Sequence, residues 1–569
     1  MRVAGKSEGL EAVLPVREER LFLLLSIFIG VISGLLVVSF RMAIEWLSVI
    51  LRGPAPGPHQ FRLLVAPALA GIVIALLTRY VFPGVKGSGV NQTKAALYIH
   101  NGYISTRTVL GKFMLAALAI GSGQSLGPED PSLQIGAGVA SLISRKIGLS
   151  RERLRIFAPV GAAAGLAAAF NAPISAILFV IEEVIGQWTA GVLGSIVLSA
   201  VSAVVVARWF WGASPMFRIP SVDLRDPREL MAYAALGLVG GVASLGFAKA
   251  LGYLRPLMRS QPQWFQMMQP ALAGLLVGGI GYFGLPQVMG AGYGAIDLAM
   301  HGQFALKMLL LLALFKIVAT TLSFSSGTPG GMFAPTLFIG AMLGAAVGSF
   351  EHHFFPVLTG SEGSYALVGM GVLFAAFLRA PLTSVFMVLE VSGNYSIVLP
   401  VILANTIAYL ISRSLQPIPI FELFTHQDGL YLPSMEEERE EADLRVEDAL
   451  KEVTSPIVPG TQPLGVARQN LMAAEAREVL VQCSDGSWYA ARRDELLGLT
   501  AGEDTALEDA LDGERTPRIY PDQALETTLS HFGRWPLLPI SNRARLGALE
   551  GVVSQEDVLR RYRQGQGNL

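Results

Sequence analysis

The chain has 569 residues, of which 52% are hydrophobic and only 15% are charged. A soluble protein carries about 25% charged residues, so the composition argues against an ordinary soluble enzyme. The net charge of −1 gives no reason to expect a nucleic-acid partner, and the single cysteine, Cys483, excludes an intramolecular disulfide and a multi-cysteine metal site.

Long apolar runs fill the chain up to about residue 430. Residues 1–19 are polar and mixed in charge, and the first apolar run, from Leu21 to about Trp46, is too long for a cleavable signal. It is long enough to cross about 30 Å of hydrocarbon. Some later runs are short or interrupted by Gly and Pro, which predicts a polytopic membrane protein with broken or re-entrant helices. These later runs are 62–82, 108–121, 155–181, 191–211, 230–252, 269–283, 304–324, 334–349, 364–393 and 395–413.

Three blocks of this apolar region recur in the same order about 204 residues further along. The longest pair is SGQSLGPEDPSLQIGA (122–137) and SGTPGGMFAPTLFIGA (326–341). The other pairs are FPGVKGSGV (82–90) with LPQVMGAGY (285–293), and AAFNAPISAILFVIE (168–182) with AAFLRAPLTSVFMVLE (375–390). The repetition predicts two homologous halves, about 20–215 and 225–430. Interrupted apolar segments at matching positions indicate a binding site where the halves meet.

Each block joins a glycine-rich stretch to an apolar helix. A helix that begins inside the membrane leaves its first N–H groups unpaired and partially positive. Such donors are tolerated at that depth only where they line a cavity or hold a ligand. GSGVN (87–91), GPEDP (127–131) and GGMFAP (330–335) are three such starts and together predict one anion site. Close helix packing is the alternative explanation for any single glycine-rich stretch.

At these motifs the sequence resembles the CLC family of chloride channels and chloride/proton antiporters, over roughly residues 20–430. The resemblance implies an all-α polytopic fold, with two inverted-topology halves, broken or re-entrant helices and one pore in each subunit of a homodimer. It implies a multi-pass protein of a bacterial inner or plasma membrane, with both termini cytoplasmic. Chloride and protons are the expected cargo, crossing the lipid bilayer, and no metal or resident cofactor is expected in the membrane domain (20–432).

The resemblance also implies which residues bind chloride. In the first motif, Gly87–Asn91, the hydroxyl of Ser88 coordinates the anion and Gly89 lies beside it, while Asn91 replaces the family's final proline. In the third motif, the amides of Met332 and Phe333 are the expected donors. A family tyrosine late in the membrane domain, whose hydroxyl also meets the chloride, is Phe421 here. Loss of that hydroxyl predicts a more weakly held or more hydrated anion.

Three acids fall at positions that the family uses for gating and proton transfer. Glu129 is in the register of the external gate, which occupies an anion site and swings away when protonated. Glu183 is in the register of the internal proton-transfer glutamate, with Glu182 as its support; the alternative is that both cap a helix at the aqueous boundary. Asp130 replaces a family glycine. It is either a modulator that faces the pathway, or it points away and bonds helix amides near the start of the following run.

From Glu436 onward the chain is densely charged, which predicts a soluble α/β cytosolic domain over 433–569. Two stretches have a helix, strand, strand, helix outline and resemble a pair of CBS domains. The family's [ST]-x-x-D ribose contact maps onto Ser554 and Asp557, which would grip an adenine nucleotide. The first copy carries Ala491 and Asp494 and lacks the hydroxyl. Nucleotide regulation and a purely structural dimerisation module are both open.

The sequence therefore predicts transmembrane chloride transport, with chloride/proton antiport through Glu129 and Glu183 as the favoured mechanism. A passive voltage- or pH-gated anion channel of the same fold is the alternative. A transport-inactive sensor is a third hypothesis, against which Ser88, Glu129 and the GGMFAP block argue. A fluoride-selective member is a fourth, against which Ser88 and the phenylalanine of the third motif argue. No sequence pattern of a hydrolase, a redox enzyme or a phosphate-binding loop is present, so the chain is not predicted to be an enzyme.

Overall fold

The computed structural model describes residues 16–186, 190–217, 226–355, 360–430, 432, 444–474, 476–511, 515–543 and 548–567. The predicted N-terminal segment, 1–19, lies outside these residues as far as residue 15, and so does most of the chain around the predicted boundary at 433. The chain divides into two compact units, Met1–Ser434 and Met435–Leu569.

The first unit is all-α. Its helices are α1 (Val16–Arg52), α2 (Phe61–Tyr80), α3 (Val90–Tyr98), α4 (Thr106–Ser122), α5 (Glu129–Lys146), α6 (Arg151–Phe170), α7 (Pro173–Phe179), α8 (Ala190–Trp211), α9 (Glu229–Arg259), α10 (Gln263–Tyr282), α11 (Tyr293–Met300), α12 (Leu306–Ser325), α13 (Phe333–Phe354), α14 (Glu362–Leu378), α15 (Pro381–Ser392), α16 (Val398–Leu415) and α17 (Ile420–Gln427). A π-helical turn, Val180–Ile185, continues α7.

Helices α1–α8 and α9–α16 follow the same order of long and short elements, as the sequence repeat requires. Within the described residues, eight helices are long and apolar enough to cross a membrane. Short helices lie between them: α3 and α11 have 9 and 8 residues, and each follows a glycine turn. The runs 155–181 and 364–393, each predicted as one segment, are two helices each, because Pro173 and Pro381 begin new helices.

Helices α5, α13 and α14 form the centre of this unit. Every residue of α14 from Gly363 to Leu378 is buried, and so is the start of α13 from Phe333 to Met342. Since the first residues of α5 are equally buried, these helix starts lie inside the protein and away from lipid and water.

The second unit is α/β, as predicted for the tail. Strands β1 (Ile457–Pro459), β2 (Glu478–Gln482) and β3 (Trp488–Arg492) form one sheet, with β1 parallel and β3 antiparallel to β2. Strands β4 (Leu537–Ser541) and β5 (Leu549–Ser554) form an antiparallel pair. The helices are α18 (Leu464–Ala473), α19 (Arg493–Leu497), α20 (Leu507–Ala510) and α21 (Gln555–Gly567). A helix follows each strand pair, α19 after β3 and α21 after β5, in agreement with the predicted outline.

Candidate functional site

The two repeated helix starts meet through a pair of equivalent glycines. The N–H of Gly127 donates to the carbonyl oxygen of Gly331 at 2.8 Å, and the N–H of Gly331 donates back to Gly127 at the same distance. The two glycines are 204 residues apart, the spacing of the repeat, and they pair antiparallel. A reciprocal antiparallel bond between equivalent residues is what an approximate two-fold axis between inverted halves produces. It brings the N-termini of α5 and α13 side by side.

Glu129, the first residue of α5, lies between these two turns. Its side chain is fully buried, and among the described residues neither carboxylate oxygen has a hydrogen-bond partner at normal distance and angle, although the backbone N–H groups of Glu129 and Ala334 lie near it. A Cβ on Gly127 would stand 2.4 Å from Glu129 Oε2 and 3.0 Å from the Ala334 nitrogen, so only glycine leaves room for the carboxylate here. Leaving a buried carboxylate without hydrogen bonds is unfavourable, so the fold keeps Glu129 in a position that stability alone does not explain.

Asp130 is also fully buried, and its partner is in the other half of the repeat. The backbone N–H of Met332 donates to Asp130 Oδ2 at 3.0 Å, while Oδ1 makes no hydrogen bond among the described residues. The sequence left two interpretations of Asp130, as a modulator that faces the pathway or as an acceptor for helix amides. The observed hydrogen bond agrees better with the second. The amide belongs to the start of α13, however, and not to the run that follows Asp130, so the carboxylate lies where chloride donors were predicted.

The first motif packs against the start of α5. Ser88 and Asn91 are both buried, and α3 begins at Val90. A Cβ on Gly89 would stand 2.6 Å from the Asp130 carbonyl oxygen. The structure thus brings together the three predicted glycine-rich starts, with Ser88 next in sequence to the glycine that contacts α5.

Phe421 lies at the same site and is held by Asn91. The side-chain amide of Asn91 donates to the Phe421 carbonyl oxygen at 2.9 Å. The Phe421 ring is 6.5 Å from the Phe333 ring and 6.4 Å from the Phe179 ring, centroid to centroid. The two departures from the family motifs, Asn91 and Phe421, therefore contact each other, and Phe421 offers the site an apolar ring without a hydroxyl.

Two buried lysines that the sequence analysis missed complete the charge at the site. Lys112 of α4 donates to the Gly87 carbonyl at 2.8 Å, and Lys316 of α12 donates to the Gly290 carbonyl at 2.7 Å. Both are fully buried and are again 204 residues apart. Each lies close enough to one acid for an electrostatic attraction, Lys112 to Asp130 and Lys316 to Glu129. Lysines at equivalent positions of two apolar runs were the signal that could have revealed them.

A cavity of about 520 Å³ lies on one side of this cluster. Its lining includes Arg41, Trp211, Asp297 and Phe170. The Phe170 ring, which lines the cavity, is 6.0 Å from the Phe333 ring at the start of α13, centroid to centroid. Arg41 stacks on Trp211 at 4.5 Å and attracts Glu129 electrostatically, which places a cation on the cavity side of the acid.

Glu183 lies apart from this cluster, on the π-helical turn that follows α7. It is largely buried, and Lys94 Nζ of α3 lies 3.4 Å from its Oε1. Lys94 follows the GSGVN motif on the same short helix. The pair therefore joins the predicted internal proton-transfer residue to the helix that begins at the predicted anion site.

Glu182 and its repeat equivalent, Glu390, cap each other's halves. Glu182 accepts hydrogen bonds from the N–H groups of Leu382 (3.2 Å) and Thr383 (3.0 Å), and from the Thr383 hydroxyl, at the start of α15. Glu390 does the same at the start of α7, where Ser175 donates through its N–H at 2.8 Å and its hydroxyl at 2.6 Å. These bonds satisfy amides that a helix start leaves free. They give Glu182 a structural role, while its support of proton transfer stays a prediction.

In the tail, Ser554 and Asp557 are in contact. The Ser554 hydroxyl donates to Asp557 Oδ2 at 2.6 Å, and the Lys451 ammonium forms an ion pair with Asp557 Oδ1. Desolvation acts to raise the pKa of Asp557, but Lys451 and Ser554 outweigh it and hold that pKa below its ordinary value. Asp494, the corresponding acid of the first copy, is exposed, and Ala491 is buried in β3.

Comparisons with known proteins give the class to which this arrangement belongs. Residues 70–413 match the family described as voltage gated chloride channel. A ClcB-like chloride channel protein of Ralstonia nicotianae is 33% identical over 398 residues, which cover 68% of this chain and 92% of the relative. The H(+)/Cl(−) exchange transporter ClcA of Vibrio campbellii is 31% identical over 421 residues, 71% of this chain and 89% of the relative. The protein therefore belongs to the CLC family of voltage gated chloride channels and their relatives.

Solved structures agree on the fold. A slow cyanobacterial Cl⁻/H⁺ antiporter superposes with a TM-score of 0.65 at 26% identity, covering 72% of this chain and 97% of the antiporter. A eukaryotic CLC transporter superposes with a TM-score of 0.63 at 20% identity, covering 95% of this chain and 98% of the transporter, and shows the fold alone. The predicted CLC fold is confirmed.

Proposed function

We propose that this protein exchanges chloride for protons across a bacterial cell membrane, with Glu129 as the residue that links the two ions. The observation that carries the proposal is the carboxylate of Glu129. It is fully buried and without a hydrogen-bond partner at normal distance and angle among the described residues, beside two helix starts that present amides. An ionised carboxylate there substitutes for a bound anion, and a protonated one has lost the charge that holds it in place. The Glu129 side chain would therefore either fill the anion site as a carboxylate, or take up a proton and leave the site to chloride.

The anion path is supported by the distribution of charge around Glu129. Arg41 borders the cavity, and two buried lysines, Lys112 and Lys316, lie deeper. Helix starts add partial positive charge, because their first N–H groups have no partner within the helix. Two buried lysines beside the acids disfavour a bound cation, because like charges repel. Chloride is the common anion that this chemistry and the names of the relatives share.

The proton path is supported by Glu183. A carboxylate deep in a membrane protein is costly and is typically functional. Its partner Lys94 lies on the helix that begins at the first glycine motif, so a proton held at Glu183 is close to the anion site without occupying it. A second buried acid gives the proton a binding site of its own, which a passive channel does not require.

A passive anion channel is the second candidate. The ClcB-like relative is named as a channel, and Phe421 cannot supply the hydroxyl contact that the family's tyrosine would make. We favour exchange because both acids, Glu129 and Glu183, are present and buried. Reconstitution into liposomes with chloride and proton fluxes recorded together separates the two: Glu129→Gln should keep chloride flux and lose proton flux.

We further propose that the protein works as a homodimer with both termini in the cytoplasm, and that the tail regulates or stabilises it. Adenine nucleotide at Ser554 and Asp557 is the regulatory form of this proposal. In the structure Lys451 and Ser554 already bind the Asp557 carboxylate. A nucleotide ribose would have to displace one of these contacts, so the structural form of the proposal is favoured.

A further inference from the structure

Asp130, the second acid of the GPEDP motif, accepts a hydrogen bond from a backbone amide at the start of α13. Asp130 Oδ2 accepts a hydrogen bond of 3.0 Å from the Met332 N–H, one residue before the 22-residue helix begins. The resemblance to the CLC family implies that this amide binds chloride. A carboxylate and a chloride ion are both anions that accept N–H donors, so the two cannot bind this amide together.

The surroundings of Asp130 show that its carboxylate is positioned by more than one element. A Cβ on Gly331 would stand 2.7 Å from Asp130 Cγ, so the glycine leaves the space that the carboxyl group fills. Lys112 attracts it from α4, and Glu129 is its neighbour on α5. Asp130 Oδ1 is fully buried and makes no hydrogen bond among the described residues, although it lies against the amide-presenting turn.

We propose that Asp130 is a second tethered anion, whose carboxylate occupies the Met332 amide in competition with chloride. Chloride binds at this amide only after Asp130 has swung away or has taken up a proton. The proposal deepens the proposed function and rests on it. It gives the protein two anionic side chains in the pathway, Glu129 between the glycine turns and Asp130 on the α13 start.

The charged side chains around Asp130 link chloride binding to proton binding. Two buried acids, Glu129 and Asp130, lie among two buried lysines, Lys112 and Lys316, while Arg41 attracts Glu129 and Arg52 lies near Lys316. A chloride that joins them is repelled by each ionised acid in low-dielectric surroundings. A proton on either acid removes that repulsion. Chloride and proton binding are thereby favoured together at Asp130 as well as at Glu129.

The test is chloride binding to the purified full-length protein, by isothermal titration calorimetry. Glu129→Gln serves as the background because it removes the neighbouring carboxylate. Asp130→Asn keeps an acceptor for the Met332 amide without the charge, and Asp130→Gly removes both. Each combination is titrated at near-neutral and at acidic pH.

We expect Glu129→Gln/Asp130→Gly to bind chloride about tenfold more tightly than Glu129→Gln at near-neutral pH, because a tethered charged competitor is gone. Acidification should tighten binding in Glu129→Gln and leave both double variants unchanged. If Glu129→Gln/Asp130→Gly fails to fold, Glu129→Gln/Asp130→Asn still tests the inference, because its chloride affinity should not change with pH.

Equal chloride affinity with and without Asp130, at both pH values, would overturn the inference while wild-type flux in liposomes upholds the proposed function. Absence of chloride binding and flux in every protein, wild type included, would overturn the proposed function itself.

Discussion

The side-chain amide of Asn91 donates a 2.9 Å hydrogen bond to the carbonyl oxygen of Phe421. By the resemblance to the family motifs, Asn91 replaces a proline and Phe421 replaces a tyrosine. The contact fixes the backbone that carries the Phe421 ring, so the ring stays beside Phe333 although it has no hydroxyl to hold it there.

Phe421→Tyr therefore adds a hydroxyl to a ring whose position the Asn91 contact already fixes. We expect Phe421→Tyr to bind chloride about 2- to 12-fold more tightly, since one hydrogen bond contributes about 0.5–1.5 kcal/mol. Chloride titration of the detergent-solubilised protein measures this. Phe424→Tyr is the matched control, because Phe424 is buried on the same helix and stacks on Phe324. An unchanged affinity in Phe421→Tyr would place the ring outside the anion site.

The pair of Lys94 and Glu183 predicts separable effects on the two ions. Glu183→Gln should abolish proton transport and leave chloride flux, because the amide cannot carry a proton away. Lys94→Met removes the cationic partner of a buried carboxylate, which costs about 3–5 kcal/mol when such a pair is broken, so proton transport and thermal stability should both fall.

Paired flux recordings and melting temperatures check these expectations. Lys249→Met, at an exposed position of α9, is the control for loss of a lysine. Proton transport that survives in Glu183→Gln would remove Glu183 from the pathway.

Reciprocal capping by Glu182 and Glu390 predicts reciprocal losses of stability. Glu182→Ala leaves the first amides of α15 without their acceptor, and Glu390→Ala does the same to α7. Each substitution should lower the free energy of unfolding by about 0.5–2 kcal/mol, as the removal of a helix cap does. The melting temperatures of the two variants should therefore fall by similar amounts. Glu45→Ala is the control, since that side chain is 64% exposed and pairs only with Arg41 among the described residues. A melting temperature that falls in one variant and not in the other would contradict the symmetric role.

The tail should open in acid through Asp557. Its pKa in the fold is below the ordinary value, so the ionised form stabilises the tail above the unfolded-state pKa of about 3.9 and this stabilisation is lost as the pH falls through the folded pKa. Hydrogen exchange of the segment containing β5 and α21, corrected for intrinsic rates, should accelerate in strong acid. Asp557→Asn should lose less protection on acidification than the wild type, because one of the stabilising carboxylates is absent. A wild-type segment equally protected at neutral and acidic pH would show that Asp557 contributes nothing to tail stability.

Much of the fold could be predicted from the repeat, because equivalent motifs at one spacing define two halves and their helix starts. The bond between Gly127 and Gly331 follows directly from that symmetry. The partners of individual side chains could not be predicted. The contacts of Asp130 with Met332 and of Lys94 with Glu183 depend on how the helices pack in three dimensions. The spacing of these residues along the chain does not predict them. The lysines Lys112 and Lys316 were within reach, since the repeat aligns them.

The central claim is that one site couples chloride to protons, and the reversal potential of reconstituted protein tests it most directly. With equal chloride on both sides and a pH gradient across the liposome membrane, exchange predicts a reversal potential displaced from zero, towards the value that balances both gradients. Glu129→Gln should return it to the chloride equilibrium. A wild-type reversal potential that ignores the pH gradient would contradict the account and establish a passive anion channel.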